Sequence, residues 1–311
     1  MPNFRARRFS WSIAAGLSAA LLASCMSTAE AGPPAVETPA AAPSAQRAPL
    51  IVIDPGHSGK YMRSREPVTG LWDITYPNYP EIYETFDIST CVARALKADG
   101  YRVILTKKHA LDNVSLAARA RVANQNKADL AISVHNDHGQ GSRFQATYDQ
   151  RGLKGRNGKY HAMYRGRGEH RTVFRLPEVA KKSQRYARII AAERSTAQRR
   201  KVTVEENSFT GRAPLEPGNL AIVQLLAKVP MVYNEMGAKS GSSVYQATSI
   251  ASEVTYARGL LAGVEAAIPP PSGADHPSKK TPWLRSCLTK QVEPSPSRYT
   301  RPRAYLPLGF A

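Results

Sequence analysis

The sequence is poor in cysteine and in acidic residues, and it lacks two common motifs. Only three cysteines occur among 311 residues. Neither C-x-x-C nor H-E-x-x-H is present, which excludes the redox and metal sites that these motifs mark. The 24 acidic residues are outnumbered by 43 lysines and arginines, so the formal net charge is +19. The hydrophobic content of 42% is nevertheless normal for a globular protein and argues against wholesale disorder.

The charge excess and the N-terminus together restrict the class of partner. A strongly basic chain is expected in anionic surroundings, such as nucleic acid, anionic lipid or an acidic polymer like a cell wall. Basic residues at 4–8 precede an apolar run that is too short, and too small in its side chains, for a membrane span. This pattern is typical of an export signal. Export, together with the lack of a visible groove-reading motif, argues against nucleic acid.

The export signal, assigned to residues 1–31, contains two candidate processing sites. Leu22-Ala23-Ser24-Cys25 resembles a bacterial lipobox, in which the cysteine becomes the lipidated first residue. Ala29-Glu30-Ala31 fits a small-residue cleavage site instead. Cys25 falls where the apolar run ends, which favours a membrane tether through a lipidated Cys25 and a location in the cell envelope. Cleavage at the second site would produce a secreted protein.

Composition divides the rest of the chain into a linker, a folded body and a tail. Residues 32–48 are rich in proline and alanine and are interpreted as a linker. The folded body is expected at 49–268, and residues 269–311 are expected to be a disordered tail. An oxidising compartment would permit disulfides. Cys91, however, lies in an apolar helical pattern, so a buried free thiol is favoured over a bridge to Cys287.

Apolar runs within the folded body alternate with helical periodicity. Strands are predicted at 49–54, 101–107, 128–135 and 229–235. Helices are predicted before Gly100, from a Ser115 cap to about Asn126, and over 250–268. This alternation predicts a single α/β domain with a largely parallel central sheet flanked by helices.

One region does not fit this alternation. Residues 139–212 contain 18 Lys/Arg against 6 Asp/Glu, a net charge of +12. They show no clean period, and we interpret them as a basic insertion of loops and one helix at about 177–200.

Three of the predicted strands end in side chains that suit a metal. The first is followed by His57, the third ends at His135 and the last ends at Glu235. In open α/β sheets, ligands bind beyond the carboxyl ends of the strands. A lone histidine there is usually a satisfied core residue, but two histidines and a carboxylate at one edge are typical of a catalytic zinc centre.

The segments around these residues resemble the zinc-dependent N-acetylmuramoyl-L-alanine amidases of the bacterial cell-wall hydrolase type. VIDPGHSG looks like the first-histidine loop of that family, and VSLAARARVANQNKADLAISVHND is similar to its second-histidine block. ALKADGYRVILTK and VPMVYNEMG are similar to its helix–glycine–strand block and to its final strand. Lys60-Tyr61 and Asn136-Asp137-His138 depart from the family pattern without removing a ligand.

The resemblance implies a set of functional residues. One Zn²⁺ per chain would be bound by His57, His135 and a glutamate at the start of the first helix. Glu81 and Glu84 are the two candidates. Glu81 is favoured because its distance from Gly100 fits the family pattern, whereas Glu84 would shorten the helix by about one turn.

The resemblance also implies roles for two further carboxylates and a reaction. Glu235 would be the catalytic carboxylate, and Asp54 would orient the loop or His57. The substrate-binding residues are unknown. The implied reaction is hydrolysis of the amide bond between N-acetylmuramic acid and L-alanine in peptidoglycan. The alternatives are another zinc peptidase acting on stem peptides, or a non-catalytic envelope-binding lipoprotein.

Overall fold

A computed structural model describes the chain from residue 47 onwards, with gaps. The described ranges are 47–67, 72–136, 145–148, 163–165, 172–174, 176–205, 221–236, 248–271 and 281–291. The expected export signal, Cys25 and all of the linker before residue 47 lie outside them. Within these ranges, no helix combines the length and the apolar character that crossing a membrane requires.

A six-stranded sheet lies at the centre of the fold. Its strands, in spatial order, are β4 (Arg102–Leu105), β1 (Leu50–Pro55), β5 (Leu130–His135), β10 (Met231–Glu235), β6 (Gln145–Tyr148) and β9 (Thr203–Glu205). β1 pairs in parallel with β4 and β5, and β10 pairs in parallel with β5. β6 runs antiparallel to β10 and parallel to β9. The predicted α/β fold with a largely parallel sheet is confirmed.

Helices cover both faces of the sheet. One core cluster contains side chains of α1 (Tyr79–Ala98), α3 (Pro177–Gln198), α5 (Ile250–Ala267) and α6 (Thr281–Gln291). The other cluster contains side chains of α2 (Leu116–Gln125) and α4 (Ala221–Leu226). Side chains of β1 alternate between the two, since Ile51 and Ile53 join the first cluster and Val52 joins the second.

Two short antiparallel pairs lie outside the central sheet. β2 (Met62–Arg65) pairs with β3 (Trp72–Thr75) directly after the first-histidine loop. β7 (Met163–Arg165) pairs with β8 (Thr172–Phe174) within the basic region.

The predicted helix ends are found where the sequence placed them. The Ser115 hydroxyl accepts a hydrogen bond from the Ala118 amide at 3.2 Å and caps α2. Gly100 follows α1 with a φ of 85°, a left-handed conformation that glycine adopts without steric cost.

The basic region at 139–212 is more than an insertion of loops. α3 begins and ends close to the predicted basic helix, but β6 and β9 from the same region extend the central sheet. Ala187, Ile190 and Ala191 of α3 lie in the main core cluster. The expected helix is present, but the expectation of loops does not hold for β6 and β9, because short strands such as QATY and TVE carry too few residues to show a period.

α3 packs closely on α5 at two glycines. A Cβ atom added to Gly259 would lie 2.8 Å from Arg194 Cα, and one added to Gly263 would lie 2.8 Å from Ile190 Cα. Both distances are shorter than side-chain packing permits. The two glycines therefore let the backbones of α3 and α5 approach one another.

The tail and the cysteines also differ from expectation. Residues 281–291, expected to be disordered, form α6, and its Leu284 and Leu288 are fully buried. Cys91 of α1 and Cys287 of α6 form a disulfide across 196 residues, with Cα atoms 6.0 Å apart. The prediction of a buried free thiol at Cys91 is wrong, since a sequence pattern cannot show which residue a buried cysteine meets.

Candidate active site

Three strand ends and one helix start meet at one edge of the sheet. β1 leads into His57, β5 ends at His135 and β10 ends at Glu235. Glu235 and His135 are register partners on adjacent parallel strands, so their side chains project from the same face. α1 carries Glu81 in its first turn, where the helix dipole favours a carboxylate.

Glu81 lies between the two histidines. Its Oε2 is 2.8 Å from His57 Nε2, and its Oε1 is 3.1 Å from His135 Nδ1. Two further donors hold the same carboxylate: the side-chain amide of Asn78 at 2.7 Å and the backbone amide of Asn136 at 2.9 Å. Each carboxylate oxygen thus has an imidazole and an amide partner, which fixes its orientation.

The three side chains fit a zinc ion. They form the one group of three potential metal ligands found among the described residues, and their donor atoms lie within 4.8 Å of one another. Zinc takes imidazole nitrogen and carboxylate oxygen at about 2 Å, so small side-chain rotations would bring all three into contact with one ion. Gly56 leaves room for this group, since a Cβ atom there would lie 2.6 Å from the His135 ring.

The protonation states also suit a metal. Burial lowers the pKa of His135 and so favours the neutral imidazole that a metal requires. Burial would raise the pKa of Glu81, but the charges and hydrogen bonds of His57 and His135 outweigh it. The pKa of this carboxyl is therefore well below its usual range.

Glu84, the other candidate ligand, forms hydrogen bonds with other residues. Its Oε2 accepts hydrogen bonds from the side-chain amide of Asn136 at 2.7 Å and from the Thr248 hydroxyl at 3.0 Å. Its Oε1 accepts the Thr248 backbone amide at 2.9 Å. Glu84 thus joins α1 to the start of α5, and the structure places Glu81 rather than Glu84 beside the histidines.

Two buried basic side chains hold the loop of His57 through its backbone carbonyls. His57 has a φ of 56°, a left-handed conformation that costs a non-glycine residue about 1–3 kcal/mol. Its backbone carbonyl accepts hydrogen bonds from Arg119 Nη2 and, at 3.2 Å, from Lys107 Nζ. Lys107 also donates to the Gly56 carbonyl at 2.8 Å. Burial, with the nearby Arg119 charge, lowers the pKa of Lys107 to about 7.

Asp54 acts on this loop through Arg119. Its Oδ1 accepts hydrogen bonds from Arg119 Nη1 at 2.6 Å and from the Thr106 hydroxyl at 2.5 Å, and its Oδ2 accepts one from the Ser133 hydroxyl at 2.9 Å. The same Arg119 Nη1 donates to the Pro55 carbonyl at 2.6 Å. Asp54 therefore fixes the orientation of the guanidinium that donates hydrogen bonds to the His57 loop.

Glu235 lies in a buried, aromatic environment beside His135. The Tyr233 ring stacks on the His135 ring with centroids 4.5 Å apart. Burial and the charge of Glu235 raise the pKa of Tyr233 well above its usual value, so this phenol is neutral. Arg194 of α3 donates to the backbone carbonyl of Glu235 at 2.5 Å.

An exposed tyrosine borders the site on the His57 side. The Tyr76 ring lies edge-on to the His57 ring with centroids 5.1 Å apart, and about half of Tyr76 is exposed. Tyr61, in the segment that departs from the family pattern, is equally exposed. An exposed aromatic ring therefore lies beside the first candidate ligand.

Three buried basic residues around the candidate site were missed in the sequence, although their spacing signalled them. Arg119 lies three residues after Leu116 and four before Ala123 on the buried face of α2. Arg194 lies four residues after Ile190 on the buried face of α3. Lys107 ends a predicted strand. A cation on an apolar stripe indicates a buried partner, because an unpaired buried charge is strongly unfavourable.

Comparison with known proteins identifies the family. A family model described as N-acetylmuramoyl-L-alanine amidase (Amidase_3) matches residues 51–265. The chain belongs to this amidase family. No curated protein matches the sequence. The amidase Ami1 from Mycobacterium abscessus is structurally similar, with a TM-score of 0.50 at 18% identity over 71% of this chain and 98% of that chain.

Other amidase structures are similar at lower scores. Ami1 from Mycobacterium smegmatis has a TM-score of 0.46 at 17% identity, over 70% of this chain and 96% of that chain. The catalytic domain of CwlV from Bacillus (Paenibacillus) polymyxa has a TM-score of 0.45 at 15% identity, with the same coverage. At these identities the likeness concerns the fold, and membership of the amidase family rests on the family match.

Proposed function

We propose that the protein is a zinc-dependent enzyme that hydrolyses the amide bond between N-acetylmuramic acid and L-alanine in peptidoglycan. The observation that carries this proposal is the group of His57, Glu81 and His135 beside Glu235 in a member of the amidase family. Two imidazoles and a carboxylate form a catalytic zinc set that leaves a coordination position open for substrate or water.

The proton transfers are assigned to Glu235. A zinc ion in the site would polarise the scissile carbonyl and lower the pKa of a water molecule towards about 7. Glu235 accepts a proton from the attacking water and passes it to the amide nitrogen as the C–N bond breaks. The products are the lactyl carboxylate of N-acetylmuramic acid and a peptide with a free L-alanine amino group. Tyr233, whose ring stacks on His135, packs beside both groups.

Metal content tests the ligand set. We expect His57→Ala, Glu81→Ala and His135→Ala each to lose most of the zinc, because each removes one of three donors. Glu84→Gln is the matched control on the same helix and should keep zinc, since Glu84 bonds Asn136 and Thr248. Metal content is measured by atomic emission on purified protein. Full zinc in Glu81→Ala together with loss in Glu84→Gln would reverse the assignment.

Product analysis tests the reaction. Mass spectrometry of digested peptidoglycan should find intact stem peptides that begin with a free L-alanine, together with glycan carrying a lactyl carboxylate. A zinc peptidase acting on stem peptides would instead shorten those peptides at another bond. A non-catalytic envelope-binding protein would leave sacculi intact while still binding them.

We further propose that the mature protein is held in the cell envelope by a lipid on Cys25, with residues 32–48 as a linker to a catalytic domain that starts at residue 49 and includes α6. The lipobox-like Leu22-Ala23-Ser24-Cys25 supports this tether. Mass spectrometry of the mature N-terminus tests it: a diacylglyceryl group on Cys25 is expected. An unmodified chain that begins at Gly32 would indicate release after the second cleavage site.

The exposed face of α3 is proposed to attract the anionic wall. α3 buries one side against the core, and Lys181, Arg185 and Arg188 are exposed at helical spacing on the other. Glu178 pairs with Lys181 at 2.9 Å and leaves this basic face with a net positive charge. A positive field beside an acidic polymer raises its local concentration.

Salt and charge replacement test the role of this basic face. Replacing its three cations with Gln should weaken binding to intact sacculi at low salt and leave cleavage of a small soluble muropeptide unchanged. The matched control replaces Arg94, Lys97 and Arg102, which are exposed on α1 and β4, with Gln. Binding of the parent should also fall near 1 M salt, where the Debye length is about 3 Å. Equal binding by both triple variants would show that the basic face is only a solvated surface.

A further inference from the structure

Helix α3 buries an arginine directly behind Glu235. Arg194 is fully buried, and burying a guanidinium is costly unless its donors are satisfied. Its Nη2 donates to the Glu235 carbonyl at 2.5 Å, its Nη1 donates to the Asn234 side-chain oxygen at 3.2 Å, and its Nε donates to Gln198 at 3.2 Å. Three donor groups thus anchor the cation to its own helix and to the end of β10.

Tyr256 of α5 extends this contact to the neighbouring strand. The Arg194 guanidinium lies over the Tyr256 ring, 4.6 Å from its centroid. The Tyr256 hydroxyl is 3.4 Å from the His135 carbonyl and 3.3 Å from the Asn234 carbonyl. Arg194 and Tyr256 together therefore contact the backbone at the ends of both β5 and β10.

The position of α3 along α5 sets the position of Arg194. Gly259 faces Arg194 so closely that an added Cβ atom would lie 2.8 Å from its Cα. The backbone of α3 is thus fixed at the residue that reaches Glu235. The hydrogen bonds and the ring contact described above join the Arg194 side chain to β10, Gln198 and Tyr256.

We propose that Arg194 is a positioning residue for Glu235, and that Tyr256 couples this position to His135. The inference rests on the proposed function, in which Glu235 transfers protons. A general base must stay within hydrogen-bonding reach of the attacking water, and a displacement of about 1 Å can cost about a hundredfold in rate. The guanidinium holds the last residue of β10 by its backbone carbonyl.

The test compares kcat, KM and zinc content in three variants and a control. Arg194→Met removes the donors and the charge but keeps a long side chain, and should lower kcat at least about tenfold with KM and zinc content within about twofold of the parent. Arg194→Lys should recover part of kcat, because an ammonium can still donate to the Glu235 carbonyl. Tyr256→Phe keeps the ring under the guanidinium and should lower kcat about threefold or more.

Arg258→Met is the matched control. Arg258 is a half-buried arginine of α5 that donates to the Ala197 carbonyl of α3 at 3.0 Å, so it serves the same helix interface away from Glu235. It should lower the melting temperature while leaving kcat unchanged. If Arg194→Met does not fold, the kcat of Tyr256→Phe decides the test, since this variant loses one hydroxyl group but keeps the packing of the ring.

The failure of this inference differs from the failure of the proposed function. Zinc-loaded Arg194→Met or Tyr256→Phe with the kcat of the parent would show that this pair serves stability alone and would overturn the inference. Equal losses of kcat in Arg194→Met and Arg258→Met would overturn it too. Failure of the proposed function would appear in the parent protein, as peptidoglycan left without free L-alanine amino groups.

Discussion

Reduction of the disulfide between Cys91 and Cys287 should make the protein markedly easier to unfold. The bond closes a loop of 196 residues. For a loop of that length, the chain-entropy relation assigns the cross-link about 5 kcal/mol at 25 °C, and removal of native disulfides usually costs about 2–5 kcal/mol. We therefore expect the reduced protein to lose about 2–5 kcal/mol of its free energy of unfolding.

Reduction should not release α6 from the folded domain. Leu284 and Leu288 of α6 are fully buried in the main core. Full burial of a leucine is worth about 1.5–3 kcal/mol, so the two together contribute roughly 3–6 kcal/mol. α6 packs against α1 and α5, and it carries none of the candidate metal ligands. The reduced protein should therefore retain its zinc and its amidase rate in the absence of denaturant.

Urea unfolding followed by circular dichroism, with and without dithiothreitol, measures the effect. A double variant, Cys91→Ala with Cys287→Ala, is the control and should not respond to dithiothreitol. Peptide mapping of non-reduced protein should recover the segments around the two cysteines as one linked peptide. Identical urea midpoints with and without reductant, or two unlinked peptides, would refute the reasoning and restore the expectation of free thiols.

Four further outcomes are expected. Glu235→Gln should keep zinc and fold but lose at least about two orders of magnitude in kcat, measured with a soluble muropeptide; near-normal turnover would exclude a proton-transfer role. Arg119→Met should weaken zinc affinity about 10–100-fold in a chelator competition, because the His57 loop loses its support; unchanged affinity would contradict this. Gly259→Ala should lower the free energy of unfolding by up to about 2 kcal/mol, since overpacking of about 1–3 kcal/mol at least cancels the gain in helix propensity of about 0.8–1 kcal/mol. Burial and the charges of Glu84 and Asp87 raise the pKa of Glu253 to about 9. The folded state then keeps a proton that the unfolded state has lost, so the free energy of unfolding should fall as the pH rises from about 5 to about 7. Glu253→Gln should flatten that slope in urea titrations.

The strand ends could be predicted because they are encoded locally. Runs such as IVIDPGH and LAISVH combine a buried strand with a polar residue at its carboxyl end, and parallel pairing brings such ends to one edge. Glu81 could be favoured over Glu84 only through the family pattern. The structure separates them by their partners, since Glu84 is occupied by Asn136 and Thr248.

The remaining features depend on contacts that are distant in sequence. Nothing local to Cys91 indicates a partner 196 residues away, and α6 follows a proline-rich segment that suggested disorder. β6 and β9 have four and three residues, too few to display a strand period. Arg194 could be recognised as a buried cation on an apolar stripe, but its contact with Glu235 requires α3 and β10 to be adjacent.

The glycine contacts between α3 and α5 limit how this domain could be shortened for engineering. A basic segment between two motif blocks invites deletion, to obtain a smaller and more soluble catalyst. Deleting α3 would uncover the side of α5 that bears Gly259 and Gly263, together with the buried Tyr256 ring and its apolar neighbours. A replacement helix would have to approach α5 equally closely at the two glycines. Deletion would therefore yield an aggregating protein rather than a compact one, and the charge of this region is better reduced by replacing exposed residues on an intact α3.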